Sequence, residues 1–218
     1  MIKKRPFFCS WSGGKDSCLA LYYGIQEGGV PNYLLTMMTE AGERSRAHGL
    51  SQEVLEKQAE SLGIPLITAA TSWESYERVF RSSLATLRDK GVETGVFGDI
   101  DLQEHREWIE GVCQKEQIDP YFPLWNRERV EVVREFVRLG FQATIVAVQE
   151  GVLSKSYLGK SLTEELIDNM IRQGIDPAGE AGEYHTLVTA GPIFNRPLVF
   201  AIKDRSLRDG YWYLDISL

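Results

Sequence analysis

Residues 12–17, with the sequence Ser-Gly-Gly-Lys-Asp-Ser, combine in one short stretch the groups that bind a phosphate. The two glycines let the backbone bend and approach a ligand closely. Lys15 adds a full positive charge, and the serine hydroxyls add hydrogen-bond donors. Asp16 carries a carboxylate that can orient an amide or hold a magnesium ion. The stretch predicts a phosphate-binding loop, with an ordinary Gly-Gly turn as the alternative.

The segments on either side of this loop predict how it is positioned. Residues 5–11, Arg-Pro-Phe-Phe-Cys-Ser-Trp, read as a buried strand, and Leu19, Leu21, Tyr22 and Ile25 fall on one face of a helix. A turn from a strand into a helix offers backbone amides and the positive end of the helix to an anion. The loop matches neither the longer Gly-x-x-x-x-Gly-Lys-Ser/Thr pattern nor the Gly-x-Gly-x-x-Gly pattern of other nucleotide sites.

The composition narrows the class of protein. The chain has 218 residues, a hydrophobic content of 43% and a formal net charge of −7, which argues against a general nucleic-acid or membrane-surface binder. Its three cysteines, Cys9, Cys18 and Cys113, have no metal-ligand spacing and predict reduced thiols. Without a recognisable signal peptide or a membrane-length apolar run, the chain is expected to be cytoplasmic.

Apolar runs alternate with amphipathic helices along the first two thirds of the chain. The pattern predicts an α/β fold, a parallel five-stranded sheet with helices on both faces. The helix after the third strand is expected to turn Trp73 inward. Pro120 and Pro123, before and within the aromatic segment 121–125, predict that this segment is a connection. Ligands of such sheets bind at the carboxyl ends of strands, here the loops at 39–46 and 98–101. The strands are predicted at residues 5–11, 33–38, 66–70, 94–100 and 143–148.

The alternation of apolar strands and amphipathic helices ends after Gln149. A helix, a glycine-rich segment and two strands at 198–202 and 211–216 predict a smaller α+β region. We therefore expect a larger domain that contains the phosphate-binding loop over residues 1–149 and a smaller domain over 150–218. The glycine-rich segment carries Glu180 and Glu183, for which a solvated loop and a binding site are both open readings.

Several motifs together resemble one known family. The 12–17 stretch resembles the PP-loop of N-type ATP pyrophosphatases, which have a Rossmann-like fold of the adenine nucleotide alpha-hydrolase type. Segments 123–125 (Pro-Leu-Trp), 157–160 (Tyr-Leu-Gly-Lys) and 179–187 (Gly-Glu-Ala-Gly-Glu-Tyr-His-Thr-Leu) extend the resemblance to the diphthine–ammonia ligases, nearly end to end. Two positions differ from that family's pattern: Ala181 stands in place of a glycine and His185 in place of a glutamate.

The resemblance implies an ATP-dependent ligase that forms a C–N bond, with an ATP-binding domain over residues 1–149 and a substrate-recognition domain over 150–218. Such an enzyme adenylates a carboxylate, releases pyrophosphate, and lets ammonia displace AMP to leave an amide. The implied cofactors are ATP and Mg²⁺, and the implied acceptor is either a modified histidine on an elongation factor or a small metabolite. Free ammonia is the simplest donor, no nucleic acid or membrane partner is expected, and a homodimer is left open. The alternative from a different functional class is a regulator that binds the nucleotide without turning it over.

The same resemblance implies the site residues. Lys15, Asp16 and Ser17 are expected to be catalytic, with Asp16 as the candidate metal ligand. His48 is either structural or an ATP contact, Asp99 either a ligand contact or a helix cap, and His105 structural. The expected ATP-binding set is Ser10, Ser12, Gly13, Gly14, Lys15, Asp16, Ser17, Leu35, Thr36, Met37, His48, Gly98 and Asp99. The expected substrate-binding set is Trp125, Gly159, Lys160, Glu180, Glu183, Tyr184 and His185.

Overall fold

A computed structural model describes residues 2–218. A five-stranded sheet lies at its centre, with the strand order β3-β2-β1-β4-β5 and parallel pairing throughout. Its strands are β1 (Pro6–Ser10), β2 (Val30–Met38), β3 (Leu66–Ala70), β4 (Thr94–Val96) and β5 (Asp119–Tyr121). The helices that connect and follow them are α1 (Lys15–Gln26), α2 (Gln52–Leu62), α3 (Tyr76–Asp89), α4 (Gln103–Lys115) and α5 (Arg129–Arg138). This confirms the predicted α/β class and the parallel five-stranded sheet.

A second sheet is antiparallel and has the order β7-β6-β9-β8. It consists of β6 (Gln142–Gln149), β7 (Tyr184–Ala190), β8 (Ala201–Arg208) and β9 (Tyr211–Ser217). A short 3₁₀ turn (Lys155–Tyr157) and helix α6 (Glu164–Arg172) connect β6 to β7. This sheet confirms the smaller α+β region, while the domain boundary at residue 149 stays a prediction.

The identity of the fifth parallel strand differs from the prediction. The run 143–148 lies in β6 and pairs antiparallel with β7 and β9, so its assignment to the parallel sheet was wrong. The fifth strand is instead β5, which pairs with β4 at the edge of the sheet. An edge strand tolerates Pro120, because only one side of its backbone has to hydrogen-bond.

Strand β1 separates two hydrophobic cores. Phe7 and Cys9 point into a large core shared with α1, α2, α5 and the second sheet, whereas Phe8 points into a core shared with α3 and α4. The alternation follows from the two-residue period of a strand, and burial on both faces explains why the three central residues of β1 are all apolar. This packing fixes the carboxyl end of β1, where the phosphate-binding loop begins.

Trp73 does not lie inside the protein, contrary to the prediction. Helix α3 begins only at Tyr76, and Trp73 sits in the preceding turn with 74% of its surface exposed. Over residues 2–218, no helix has both the length and the apolar character that are needed to cross a bilayer.

Candidate active site

The loop between β1 and α1 is clamped from outside. Gly13 has φ +82°, a conformation that side chains disfavour, and a Cβ there would lie 2.6 Å from Leu50 Cδ1. The carbonyl of Gly13 accepts hydrogen bonds from the amide of Val188 and from Gln58 Nε2, each at 2.9 Å. Contacts from α2 and from β7 therefore hold the loop in one shape.

The first turn of α1 presents donors to a ligand. The amide of Lys15 donates to Thr186 Oγ1 at 3.1 Å, but the helix itself offers no acceptor to the amides of Asp16 and Ser17. Ser17 Oγ lies 3.0 Å from Ser12 Oγ and donates to the carbonyl of Gly14 at 3.1 Å. Two helix-terminal amides without a partner in the helix and a pair of serine hydroxyls thus lie together in this loop, as an anion site requires.

Lys15 is buried in the first turn of α1 and does not line the cavity above the loop. Its side chain is 6% exposed, and Nζ donates to Asp16 Oδ2 at 2.8 Å and to the carbonyl of Ala178. Burial lowers the pKa of Lys15, but the charge of Asp16 and its hydrogen bond to Nζ, together with Glu180, raise the pKa by more, so the net shift is upward. The ammonium group therefore stays charged and contributes a fixed positive charge at the phosphate-binding loop.

Asp16 has one carboxylate oxygen left over. Oδ2 is held by Lys15, whereas Oδ1 is buried and has no hydrogen-bond partner among residues 2–218. A buried, unpaired carboxylate oxygen beside a phosphate site suits a magnesium ion. The described part of the chain contains no cluster of three or more His, Cys, Asp or Glu that could hold a metal alone. Mg²⁺ would therefore take its remaining ligands from phosphates and water, as is usual for Mg²⁺ with a nucleotide.

A cavity of about 720 Å³ opens above this loop, at the carboxyl ends of β1, β2 and β4. Its volume falls within the range of ligand pockets, and its place at the strand ends follows the rule for open α/β sheets. Most of the expected ATP-binding residues line it, together with two of the expected substrate-binding residues. The predicted residues in its wall are Ser10, Ser12, Asp16, Ser17, Leu35, Thr36, Met37, His48, Gly98, Asp99, Glu180 and His185.

The other expected substrate residues lie outside the cavity wall. Trp125 is covered by the guanidinium of Arg106, 4.5 Å from a ring centroid, and Lys160 lies over Tyr157 at 4.5 Å. Gly159 precedes Lys160 and is also absent from the cavity wall. Tyr184 is buried, and its hydroxyl donates a hydrogen bond to the carbonyl of Pro177. A substrate role for these residues would need an acceptor that reaches beyond the cavity.

The paired acids of the glycine-rich segment separate in space. Glu180 lines the cavity, where burial and then the charge of Asp16 raise its pKa to about 7. Glu183 lies outside the wall and accepts a hydrogen bond from the amide of Ala181 at 3.1 Å. Of these two glutamates, only Glu180 is positioned to contact a ligand above the phosphate-binding loop.

Two histidines form a neutral patch on the wall. The rings of His48 and His185 are 4.7 Å apart, and His48 Nδ1 lies 2.8 Å from the carbonyl of Thr186. Because a carbonyl only accepts, Nδ1 carries the proton and Nε2 keeps a lone pair. Burial lowers the pKa of His48 to about 4, and burial followed by the proximity of His48 lowers that of His185 well below its usual value.

The low pKa of His48 predicts acid sensitivity. Its folded pKa lies below the unfolded value near 6.5, so the unfolded chain binds the proton more tightly and stability falls as pH drops below 6.5. Compared with His48→Asn, which keeps a donor for Thr186, the wild type should lose about 2 kcal/mol of unfolding free energy between pH 7.5 and pH 5. Urea unfolding at both pH values measures it.

The comparison with the variant is needed because Glu180 has the opposite effect. Its raised pKa favours the folded state as pH falls from about 7, and this contribution is common to both proteins. A constant difference between wild type and His48→Asn across this pH range would contradict the assignment of a buried neutral histidine.

Some wall residues were missed by sequence reasoning. Arg46, Trp73, Tyr76 and Trp108 all line the cavity. Arg46 belongs to the loop at 39–46 that was expected to face the ligand, so its position carried a signal. Trp73 was expected on the inner face of a helix, and Tyr76 and Trp108 lie in or beside helical segments, where a helical pattern does not reveal which aromatic residues stand at the open end of a sheet.

Comparison with known proteins decides the family. The family model described as "Diphthamide synthase N-terminal domain" matches residues 7–120, and that described as "Diphthamide synthase C-terminal domain" matches residues 128–217. The chain belongs to the diphthamide synthase family. This membership places it among the ATP-dependent ligases that form C–N bonds.

Relatives named diphthine–ammonia ligase support the same assignment. The mouse protein is 26% identical over 86% of this chain and 80% of its own length, and the zebrafish protein is 25% identical over 86% and 83%. The fission yeast relative is 26% identical over 88% of this chain, which spans 36% of that protein. A solved Methanocaldococcus jannaschii structure, described as a "predicted subunit of tRNA methyltransferase", superposes with a TM-score of 0.48 at 16% identity, over 86% of this chain and 98% of its own.

Proposed function

We propose that this member of the diphthamide synthase family adenylates a carboxylate with ATP and converts it to an amide with ammonia. One observation carries the proposal. The first turn of α1, with Ser17 and the unpaired Oδ1 of Asp16, lines a ligand-sized cavity next to the phosphate-binding loop. The relatives named diphthine–ammonia ligase indicate diphthine as the acceptor and ammonia as the nitrogen donor.

The first step breaks ATP between its α and β phosphates. An acceptor carboxylate oxygen bonds to the α-phosphorus, the bridging P–O bond breaks, and pyrophosphate leaves with that electron pair. The free amides of Asp16 and Ser17 and the charge of Lys15 stabilise the negative charge on the leaving group. Mg²⁺, when bound at Asp16, would neutralise further phosphate charge. No protein nucleophile is needed, because positioning and electrostatics carry such transfers.

The second step forms the amide. Ammonia attacks the acyl carbon and forms the C–N bond. The bond between the acyl carbon and the AMP oxygen breaks, AMP leaves with its electron pair, and the attacking nitrogen loses a proton. Glu180 is the cavity acid on the side of the wall contributed by residues 179–185, and we assign it to the acceptor or to ammonia. We assign the cavity face made by residues 150–218 to substrate recognition.

Incorporation of labelled nitrogen tests the proposed function. The enzyme is incubated with Mg-ATP, ¹⁵N-ammonium and a diphthine-bearing protein, and the acceptor is examined by mass spectrometry. Incorporation of ¹⁵N that depends on ATP is the expected result. Formation of AMP and pyrophosphate without label in the protein would indicate that the acceptor is a small carboxylate instead. No turnover with retained ATP binding would favour a regulator.

The two acids of the glycine-rich segment provide a matched pair of variants. Glu180→Gln should lower amide formation by about 10²-fold, because it removes the only one of these two charges that faces the cavity. Glu183→Gln, outside the wall, should stay within about twofold of the wild type. Acceptor-dependent and acceptor-free ATP cleavage are measured separately, and an equal loss in both for Glu180→Gln would contradict a substrate or ammonia role.

A further inference from the structure

Arg129 is the first residue of α5, where a positive charge is unfavourable for the helix. The positive end of the helix dipole lies there, so this position favours an acidic side chain. Glu128 precedes Arg129 and already caps the helix, because its carboxylate accepts hydrogen bonds from the amides of residues 130 and 131. The guanidinium of Arg129 thus does not stabilise the start of α5, and its contacts lie with two other segments.

The guanidinium of Arg129 bridges two carboxylates. Nε and Nη2 donate to the two carboxylate oxygens of Asp101 at 2.6 Å and 2.8 Å, and Nη1 donates to Asp176 Oδ2 at 2.7 Å. Asp101 lies in the loop after β4. Asp176 begins the segment 176–183, which carries Glu180. A planar fork that binds both carboxylates at once fixes their relative position, which a single ion pair does not.

Hydrogen bonds continue from Asp176 toward the cavity. Asp176 Oδ1 accepts from the amide of Ala178 at 2.9 Å, and the carbonyl of Asp176 accepts from the amide of Gly179 at 3.1 Å. The carbonyl of Ala178 in turn accepts from Lys15 Nζ. Glu180 follows directly in the chain and lines the cavity. One carboxylate and one turn therefore connect the guanidinium to the backbone that carries Glu180.

The segment 176–183 depends on such contacts for its position. Gly179 and Gly182 have φ values of +69° and +84°, and glycine loses more conformational freedom on ordering than any other residue. Tyrosine hydroxyls donate neutral hydrogen bonds to the carbonyls of residues 177 and 182. Within residues 2–218, Arg129 is the one side chain that forms a salt bridge with this segment. Its ion pair with Asp176 is therefore the charged anchor of the segment.

We propose that Arg129 is a positioning residue for the ligase reaction, which holds Asp176 and, through the turn that follows, keeps Glu180 at the cavity wall. This inference rests on the proposed function, because Arg129 acts through the role assigned to Glu180. Arg129 and Asp176 do not line the cavity themselves. An isolated exposed ion pair contributes little, but here one guanidinium holds two carboxylates, and the side chain of Asp176 is only 18% exposed.

Arg129→Lys tests this role without removing the charge. Lysine cannot bind both carboxylates in the geometry of the guanidinium fork. We expect amide formation to fall about tenfold, because a small misplacement of a reacting group is costly. Acceptor-free ATP cleavage should stay within about twofold of the wild type, since Lys15 keeps its contact with Asp16. The variant is expected to fold, because the Arg129 side chain is 35% exposed.

Arg134→Lys is the matched control. Arg134 lies on the same helix and also bridges two carboxylates, donating to Asp168 Oδ1 at 2.5 Å and to Glu164. Both partners belong to α6 and lie outside the cavity wall. Amide formation by this control should therefore stay within about twofold of the wild type.

Hydrogen exchange measures the anchor directly. The amides of Ala178 and Gly179 both donate to Asp176, so NMR should show them exchanging at least about tenfold faster in Arg129→Lys. The amide of Val188, which donates to the carbonyl of Gly13, should not change. Asp176→Asn keeps an acceptor for Ala178 but removes the ion pair, and it should give the same increase at Gly179. Unchanged exchange in both variants would overturn the inference.

A double-mutant cycle separates positioning from a purely structural role. Arg129→Lys combined with Glu180→Gln should lose about 10²-fold in amide formation, no more than Glu180→Gln alone, because both changes act through one side chain. A loss of about 10³-fold, the product of the two single losses, would show that Arg129 acts independently of Glu180. That result would reject the positioning role.

The outcomes distinguish this inference from the proposed function. If the wild type incorporates no ¹⁵N into the acceptor, the ligase function fails, and hydrogen exchange alone decides whether Arg129 anchors the segment 176–183. If the amide forms but Arg129→Lys and Arg134→Lys behave alike in exchange and in activity, the ligase function stands and the positioning role fails.

Discussion

Replacing Lys15 by methionine is expected to lower the rate of ATP cleavage by about 10²- to 10³-fold, the usual effect of removing one preorganised group that stabilises transition-state charge. Methionine keeps most of the buried volume and removes only the ammonium group, which lies 2.8 Å from Asp16 Oδ2. The loss also leaves the carbonyl of Ala178 and the Asp16 carboxylate without this donor, so a lower melting temperature is expected as well.

The matched control is Lys57→Met on α2. Lys57 is half-exposed and pairs with Glu60 at 2.8 Å, so its removal should change neither activity nor stability measurably. Single-turnover measurement of AMP release compares the two variants at saturating ATP. Wild-type cleavage by Lys15→Met would contradict the role assigned to the ammonium group, whatever its effect on stability.

Replacing Gly98 by alanine is expected to weaken nucleotide binding strongly. A Cβ at this position would lie 2.8 Å from the carbonyl carbon of Asp16 and 2.9 Å from the amide nitrogen of Ser17. Both are backbone atoms of the first turn of α1, so the turn itself must shift, and its amides would no longer converge on a phosphate. We expect the ATP affinity to fall at least about 10²-fold, measured by calorimetry with α,β-methylene-ATP.

Gly111→Ala is the matched control for this variant. Gly111 lies inside α4, and a Cβ there meets no atom within 4 Å. Alanine should stabilise the helix by about 1 kcal/mol and leave nucleotide binding unchanged. If Gly98→Ala binds the nucleotide as well as Gly111→Ala does, close packing of the β4 end against the phosphate-binding loop is not required.

The sequence predicted the strand, turn and helix around residues 12–17 well because their signals are local. An apolar strand, two glycines and an amphipathic helix follow one another within residues 5–26, and each constrains its neighbours. The hydrogen bonds that hold the loop could not be predicted, because they come from Gln58 and Val188, which are distant in the chain. Pairing between distant segments has no signature in either segment alone.

The same reason explains the misassigned strand. The apolar run 143–148 correctly indicates a buried strand, but apolarity does not say which sheet buries it or in which direction its neighbours run. The short β5 was obscured because Pro120 and its neighbouring residues look unsuited to a central strand, whereas an edge position accepts them.

The extent of the cavity wall could be predicted only in part. Loops at the carboxyl ends of parallel strands gave Gly98, Asp99 and the segment that contains Arg46. Trp73 was placed inside by helical periodicity, but α3 begins three residues after it and leaves it at the rim. Motif resemblance grouped Trp125 and Lys160 with the site, whereas packing against Arg106 and Tyr157 keeps them outside the wall.

The bond that is cleaved in ATP tests the central claim most directly. Phosphorus NMR of a reaction that contains the enzyme, Mg-ATP, ammonium and a diphthine-bearing protein distinguishes the two cleavage sites. Formation of AMP and pyrophosphate in equal amounts, with little of either in Lys15→Met, is the predicted result. Formation of ADP and inorganic phosphate would contradict the account, because the phosphate-binding loop would then direct attack to the γ-phosphate.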